Sequence, residues 1–175
     1  MSRLVNSVAS PAPVLDPRLR GRIVFCADTQ IPQEINLAFS AVLTSVADQL
    51  EKENRLFGNV PICCIFSDSD SFAIALDDTQ QAVCMRIIFY PLSRLCRLGI
   101  NQLLTALAEE LCHLIWDIYD ETIVNFKVLE VLRNLRPQFS LSDLYSETAV
   151  AECVQYARCH PELPLSGLLP PPASD

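Results

Sequence analysis

The stretch INQLLTALAEELCHLIWDIYDE, residues 100–121, decides how this chain folds. On a helical wheel at about 100° per residue, its apolar residues form one continuous stripe. The stripe consists of Ile100, Leu103, Leu104, Leu107, Leu111, Leu114, Ile115 and Ile118. A helix that is apolar over most of its circumference is buried inside a domain. The stretch therefore predicts a central helix over 100–118 with one narrow polar edge.

The polar edge of this helix and the residues that follow it are acidic. They comprise Glu109, Glu110, His113, Asp117, Asp120 and Glu121. No Lys or Arg occurs between residues 98 and 126, although exposed helices usually interleave acids with bases three or four residues apart. We therefore predict a positive partner for these acids: a metal ion, a basic residue from elsewhere in the chain, or a proton.

The spacing of the polar residues favours a metal ion. Glu109 and His113 are four residues apart, so they share one helix face and can reach the same ion. In the HExxH arrangement the first and fifth residues bind zinc and the second activates a water molecule. The segment EELCH, residues 109–113, has this arrangement with Glu in place of the first His.

The motif and the predicted order of elements resemble the zincin-type metallopeptidases over residues 22–135. The shared order is a strand, a long helix, short strands, an edge-like strand and the motif helix. The next helix begins with acidic residues, as in small bacterial and phage-borne members whose third ligand is acidic. The resemblance implies the following roles. His113 and Glu109 are metal ligands, Glu110 is the general base, Asp120 or Glu121 is the third ligand, and Asp117 is a further candidate.

This resemblance implies metal-dependent hydrolysis of a peptide or protein segment, with the strand at 82–90 lining the cleft. The cofactor would be a divalent metal, Zn²⁺ by analogy. A site of one imidazole and several carboxylates shifts the preference towards Mn²⁺ or another harder cation. The alternative is a catalytically inactive zincin fold that acts as a peptide-binding or regulatory module. A third hypothesis is an unrelated α+β protein whose acidic edge faces solvent.

Simpler interpretations remain open for the individual residues. His113 could be a core histidine bonded to a backbone carbonyl, and Glu109 and Glu110 could face solvent. Asp120 stands where it could cap the helix predicted over 121–135.

The whole chain predicts one α+β domain over residues 21–160, with a flexible arm at 1–20 and a Pro-rich tail at 161–175. Strands are predicted at 22–27, 61–66, 72–76 and 82–90, and helices at 32–54, 100–118, 121–135 and 140–159. The short connections between strands suggest a small, mainly antiparallel sheet, with the helices on one face.

The amino-acid composition of the chain limits its possible binding partners and its cellular compartment. The net charge of −8 does not favour nucleic-acid binding, which usually needs a basic patch. No apolar run reaches the roughly 18 residues that suggest a membrane helix, and no signal peptide is recognisable. The eight cysteines lie mostly in apolar segments without a CxxC pair. We therefore predict buried thiols in a reducing cytoplasm.

Overall fold

Among the residues that the structure describes, the sheet has three strands in the order β1-β2-β3: β1 (Ile23–Ala27), β2 (Ile62–Ser67) and β3 (Arg86–Pro91). The computed structural model describes residues 12–69, 85–163 and 165–169. Its helices are α1 (Gln33–Lys52), α2 (Leu92–Leu95), α3 (Ile100–Trp116), α4 (Glu121–Leu135), α5 (Leu141–Leu144) and α6 (Glu147–Cys159). The 3₁₀ turns Pro17–Leu19 and Ser166–Leu168 flank them. The architecture is mixed α+β.

The prediction of a mainly antiparallel sheet is wrong for the described strands. β1 pairs with β2 in parallel, with Val24 opposite Cys63, and β2 pairs with β3 in parallel. Parallel neighbours need a crossover connection, which α1 supplies between β1 and β2. The near-continuous apolar runs RIVFCA and PICCIF are typical of strands in parallel sheets. The strand predicted at 72–76 and the start of the one at 82–90 lie outside the described residues.

The helices pack on one face of the sheet, around Phe39 of α1. The Phe39 ring is edge-on to Phe25, Phe66 and Tyr90, one from each strand, at centroid distances of 5.3–5.8 Å. Tyr90 is also tied to α3, because its hydroxyl donates to the Leu107 carbonyl at 2.9 Å. α1 and α3 therefore pack against a layer of aromatic rings supplied by β1, β2 and β3.

The prediction of a central helix is confirmed by α3. It packs against α1, α4 and β3, and its Leu107, Ala108, Leu111 and Cys112 are fully buried. The predicted end of this helix at 118 lies two residues beyond the observed end at Trp116. The next helix was predicted to begin at 121, and α4 does begin at Glu121.

The single helix predicted over 140–159 is two helices. The N-terminal cap at Ser140 is present, and Asp143 Oδ2 accepts from the Ser140 N–H at 2.9 Å. The chain then becomes extended at Tyr145 (φ −127°, ψ 160°). Ser146 caps α6, its hydroxyl accepting from the Ala149 N–H at 3.4 Å. A second cap residue inside the segment starts a new helix, and it leaves Tyr145 between the two.

The segments next to the predicted domain lie on it where they are described. Leu19 is buried, and Arg18 pairs with Asp48 and Glu51 of α1 at 2.7 and 2.6 Å. At the other end, Leu168 is buried and Arg133 donates to the Gly167 carbonyl at 3.1 Å. Leu19 and Leu168 therefore add to the core.

The cysteines of the described segments are free thiols. No helix within those segments combines the length and the apolar character needed to cross a membrane.

Candidate metal site

Two helices bring three of the predicted ligands together. Glu109 and His113 lie one turn apart on α3, and Glu121 is the first residue of α4. One ligand atom of each lies within 4.8 Å of the others. Among the described residues, this is the group of His, Cys, Asp and Glu side chains that could hold a metal ion.

His113 presents its Nε2 atom to the group. Its Nδ1 lies 2.6 Å from the Ile118 carbonyl oxygen, and because a carbonyl only accepts, Nδ1 carries the proton. The other nitrogen then has a free lone pair in the neutral ring, and it lies 3.6 Å from Glu121 Oε2. From the sequence, a hydrogen bond from His113 to a backbone carbonyl and metal binding by His113 were alternative roles. The geometry makes them compatible, since a metal-binding histidine usually donates its second N–H in this way.

The Ile118 carbonyl is positioned by a left-handed residue. Asp117 ends α3 with φ 54° and ψ 42°, a conformation that Asp and Asn tolerate better than most residues. In this turn the Ile118 N–H donates to the His113 carbonyl at 3.2 Å. His113 and Ile118 are thus joined by a backbone and a side-chain hydrogen bond.

Glu109 lies in a partly buried, negatively charged environment. Burial raises the pKa of its carboxyl group, and the neighbouring charges of Glu121 and Glu110 raise it further, while His113 lowers it. Two carboxylates that repel each other across a small gap gain stability when a cation enters. This charge arrangement fits a bound cation.

The distances also fit a metal ion after small side-chain movements. Donor atoms around a tetrahedral ion with bonds of about 2.1 Å lie about 3.4 Å apart, so the widest separation in the group has to shrink. The Glu121 side chain is 75% exposed and can rotate to do this. The donor set of one imidazole and two carboxylates suits Zn²⁺ or Mn²⁺.

The other predicted site residues lie outside this group. Asp120 Oδ1 accepts from the Ile123 N–H at 3.0 Å and so caps α4. Asp117 pairs with Arg86 Nη2 at 2.9 Å. Glu110, the predicted general base, is exposed on α3 beside Glu109.

Sequence reasoning missed the partners of Glu53, the C-cap residue of α1. Lys127 of α4 donates to Glu53 at 2.8 Å and also pairs with Glu130. The Trp116 indole N–H donates to the second oxygen of Glu53 at 2.7 Å. This network joins the ends of α1 and α3 to α4. No periodic pattern could have revealed the contacts of Glu53, because this residue lies 63 residues from Trp116 and 74 residues from Lys127 along the chain.

Sequence reasoning also missed Tyr145, which lies between α5 and α6. Its hydroxyl oxygen is buried and, within the described residues, has no hydrogen-bond partner. Burial raises its pKa most, followed by Glu109, Cys112, Cys153 and Glu121. The hydroxyl therefore lies within the electrostatic reach of both carboxylates of the candidate site.

No protein-family model, no curated protein and no solved structure matches this chain.

Proposed function

We propose that this protein is a divalent-metal-dependent hydrolase of the zincin type, acting on an extended peptide or protein segment. Glu109, His113 and Glu121 would hold the ion. The observation that supports this most directly is the convergence of one imidazole nitrogen and two carboxylates to within 4.8 Å. A divalent ion bound there would supply Lewis-acid chemistry, which polarises a carbonyl and makes water more acidic.

The remaining roles belong to residues beside the group. Glu110, next to Glu109 and open to solvent, would accept a proton from the attacking water. The unpartnered Tyr145 hydroxyl would donate a hydrogen bond to an oxygen atom of the bound ligand. The peptide would pair with β3, which is the last of the described strands in the order β1-β2-β3 and leads through α2 into α3. Pairing with a strand recognises extended peptides through their backbone.

A non-catalytic binding module on the same scaffold is the second candidate. The position of Glu110 favours it, because this carboxylate is exposed and lies outside the three-residue group. A site without a base close to the ion could bind a peptide or a partner protein and leave it intact.

The first experiment measures metal binding and then cleavage by protein purified without chelators or a His-tag. Mn²⁺ binding is followed by loss of the free-ion EPR signal, and Zn²⁺ binding by competition with a chelating dye. We expect one ion per chain and slow cleavage of unfolded casein. We also expect Glu110→Gln to keep the metal and to lose at least about 100-fold in cleavage rate, the usual scale for a general base.

Each result of that experiment decides between the candidates. A folded chain that takes up neither ion contradicts the metal site. A chain that binds one ion and leaves casein intact supports the binding module.

The role of Tyr145 is tested with Tyr145→Phe and acetohydroxamate, a small oxygen-donor ligand for bound metal. Losing one hydrogen bond should weaken hydroxamate binding to the metal-loaded protein by about tenfold, with metal affinity unchanged. Tyr119→Phe is the matched control, because Tyr119 is 85% exposed. If Tyr145→Phe raises the free energy of unfolding and leaves hydroxamate affinity unchanged, the buried hydroxyl has no ligand.

A further inference from the structure

The end of α3 is bound by an arginine from the sheet. Arg86, the first residue of β3, pairs through Nη2 with Asp117 Oδ1 at 2.9 Å and donates from Nη1 to the Leu114 carbonyl. Leu114 and Asp117 belong to the last turn of α3 and to its cap. One guanidinium group thus holds two points of the turn that follows His113.

The turn that Arg86 contacts also determines how the His113 ring is oriented. The left-handed conformation of Asp117 places the Ile118 N–H 3.2 Å from the His113 carbonyl oxygen. It also places the Ile118 carbonyl 2.6 Å from His113 Nδ1. If Asp117 left this conformation, the acceptor of the Nδ1 proton would move. The ring could then take either tautomer and rotate.

We propose that Arg86 is a positioning residue for His113. Through Asp117 and the Ile118 carbonyl, it keeps the ring in the Nδ1–H tautomer with Nε2 facing Glu121. The consequence for metal affinity rests on the proposed function, whereas the consequence for the tautomer does not. Partners that orient a metal-binding histidine typically contribute 10- to 100-fold to metal affinity.

The tautomer can be measured in metal-free protein by ¹⁵N NMR of the imidazole rings at about pH 8. The chain has only two histidines, so His160→Ala assigns the signals of His113. We expect wild-type His113 to be the Nδ1–H tautomer. Arg86→Met should give a mixture of tautomers and, for the metal-binding protein, about tenfold weaker Mn²⁺ binding. Arg86→Lys keeps the charge and should partly restore the single tautomer and the Mn²⁺ affinity.

Arg55→Met is the matched control. Arg55 also donates to a carbonyl in the last turn of α3, that of Ile115, at 3.3 Å, but Asp117 is paired with Arg86. A purely structural role for Arg86 would make the two variants alike, with His113 unchanged in both.

Asp117→Asn provides a second route if Arg86→Met does not fold. Asn tolerates the left-handed conformation but lacks the charge that pairs with Arg86, so it should also loosen the tautomer. The inference is overturned if His113 in Arg86→Met remains a single Nδ1–H tautomer. If Arg86→Met does not fold, the same result in Asp117→Asn overturns it. Failure of wild-type protein to bind metal overturns the proposed function alone, since the NMR measurement needs no ion.

Discussion

Replacing His113 by Ala should weaken binding of Mn²⁺ and Zn²⁺ by about 100-fold or more. Disturbing a residue that merely supports a ligand already costs 10- to 100-fold, and His113 supplies the one nitrogen of the three-residue group. The measurement is a metal titration of chelator-free protein by EPR and dye competition. Circular dichroism confirms that the variant is folded.

His160→Ala is the control, because it removes the other histidine of the chain. His160 follows α6, lies 3.0 Å from Glu162 Oε1 and is not part of the three-residue group. Its removal should leave metal affinity unchanged. Equal loss of binding in both variants would show that metal binds histidines without regard to this site, and retention of binding in His113→Ala would exclude His113 as a ligand.

Replacing Lys127 by Met should lower the free energy of unfolding by about 2–3 kcal/mol, the usual scale for a charged hydrogen bond away from solvent. The Lys127 ammonium is hydrogen-bonded to Glu53 and Glu130 and lies 5.4 Å from the Trp116 ring centre. The three charged side chains are 17–32% exposed, so solvent screens them only in part. Without Lys127, Glu53 and Glu130 would lose the cation they share, and Glu53 would keep only its hydrogen bonds from Trp116 and Gln49.

Lys52→Met is the matched control for urea unfolding followed by circular dichroism. Lys52 is exposed and donates to Asn134 Oδ1 at 2.5 Å, so its loss should cost less than about 1 kcal/mol. A cost for Lys127→Met no larger than that of the control would show that the network adds nothing to stability.

The contribution of Lys127 should also depend on pH. Burial by itself raises the pKa of Glu53, but hydrogen bonds from Lys127, Trp116 and Gln49 outweigh it, and the net pKa lies below the ordinary 4.5. Stability from Glu53 is therefore complete above its unfolded pKa and is lost as the pH falls through the lower folded value. Burial lowers the pKa of Lys127, while Glu130 and Glu53 raise it above 10.5 overall. Its contribution is lost only as the pH rises through that higher folded value. The difference between wild type and Lys127→Met should be largest between about pH 4.5 and 10.5.

The local part of the candidate site could be predicted from the sequence. Helical periodicity identified α3 as central, and the four-residue spacing placed Glu109 and His113 on one face, because both follow from the geometry of a single helix. The break before α4 placed Glu121 among the candidates. The capping interpretation of Asp120 also needed only neighbouring residues.

Strand direction and the partners of the acidic residues could not be predicted from neighbouring residues alone. Strand direction depends on how the chain returns after α1, and the expected short connections pointed to the wrong pairing. The unbalanced charge of residues 98–126 was real as a sequence feature. Even so, Asp117 obtains its counter-charge from Arg86 of β3, which lies outside that span.

The sequence by itself determined which residues form the central helix and its acidic edge, and it narrowed the candidate ligands to Glu109, His113, Asp117, Asp120 and Glu121, since periodicity and spacing act within a few turns. Only the tertiary structure decided how these similar carboxylates differ. Glu109 and Glu121 lie with His113, Asp117 pairs with Arg86, and Asp120 caps a helix. The physical reason is that the environment of a carboxylate depends on the atoms packed around it, and many of those atoms come from segments far away along the chain.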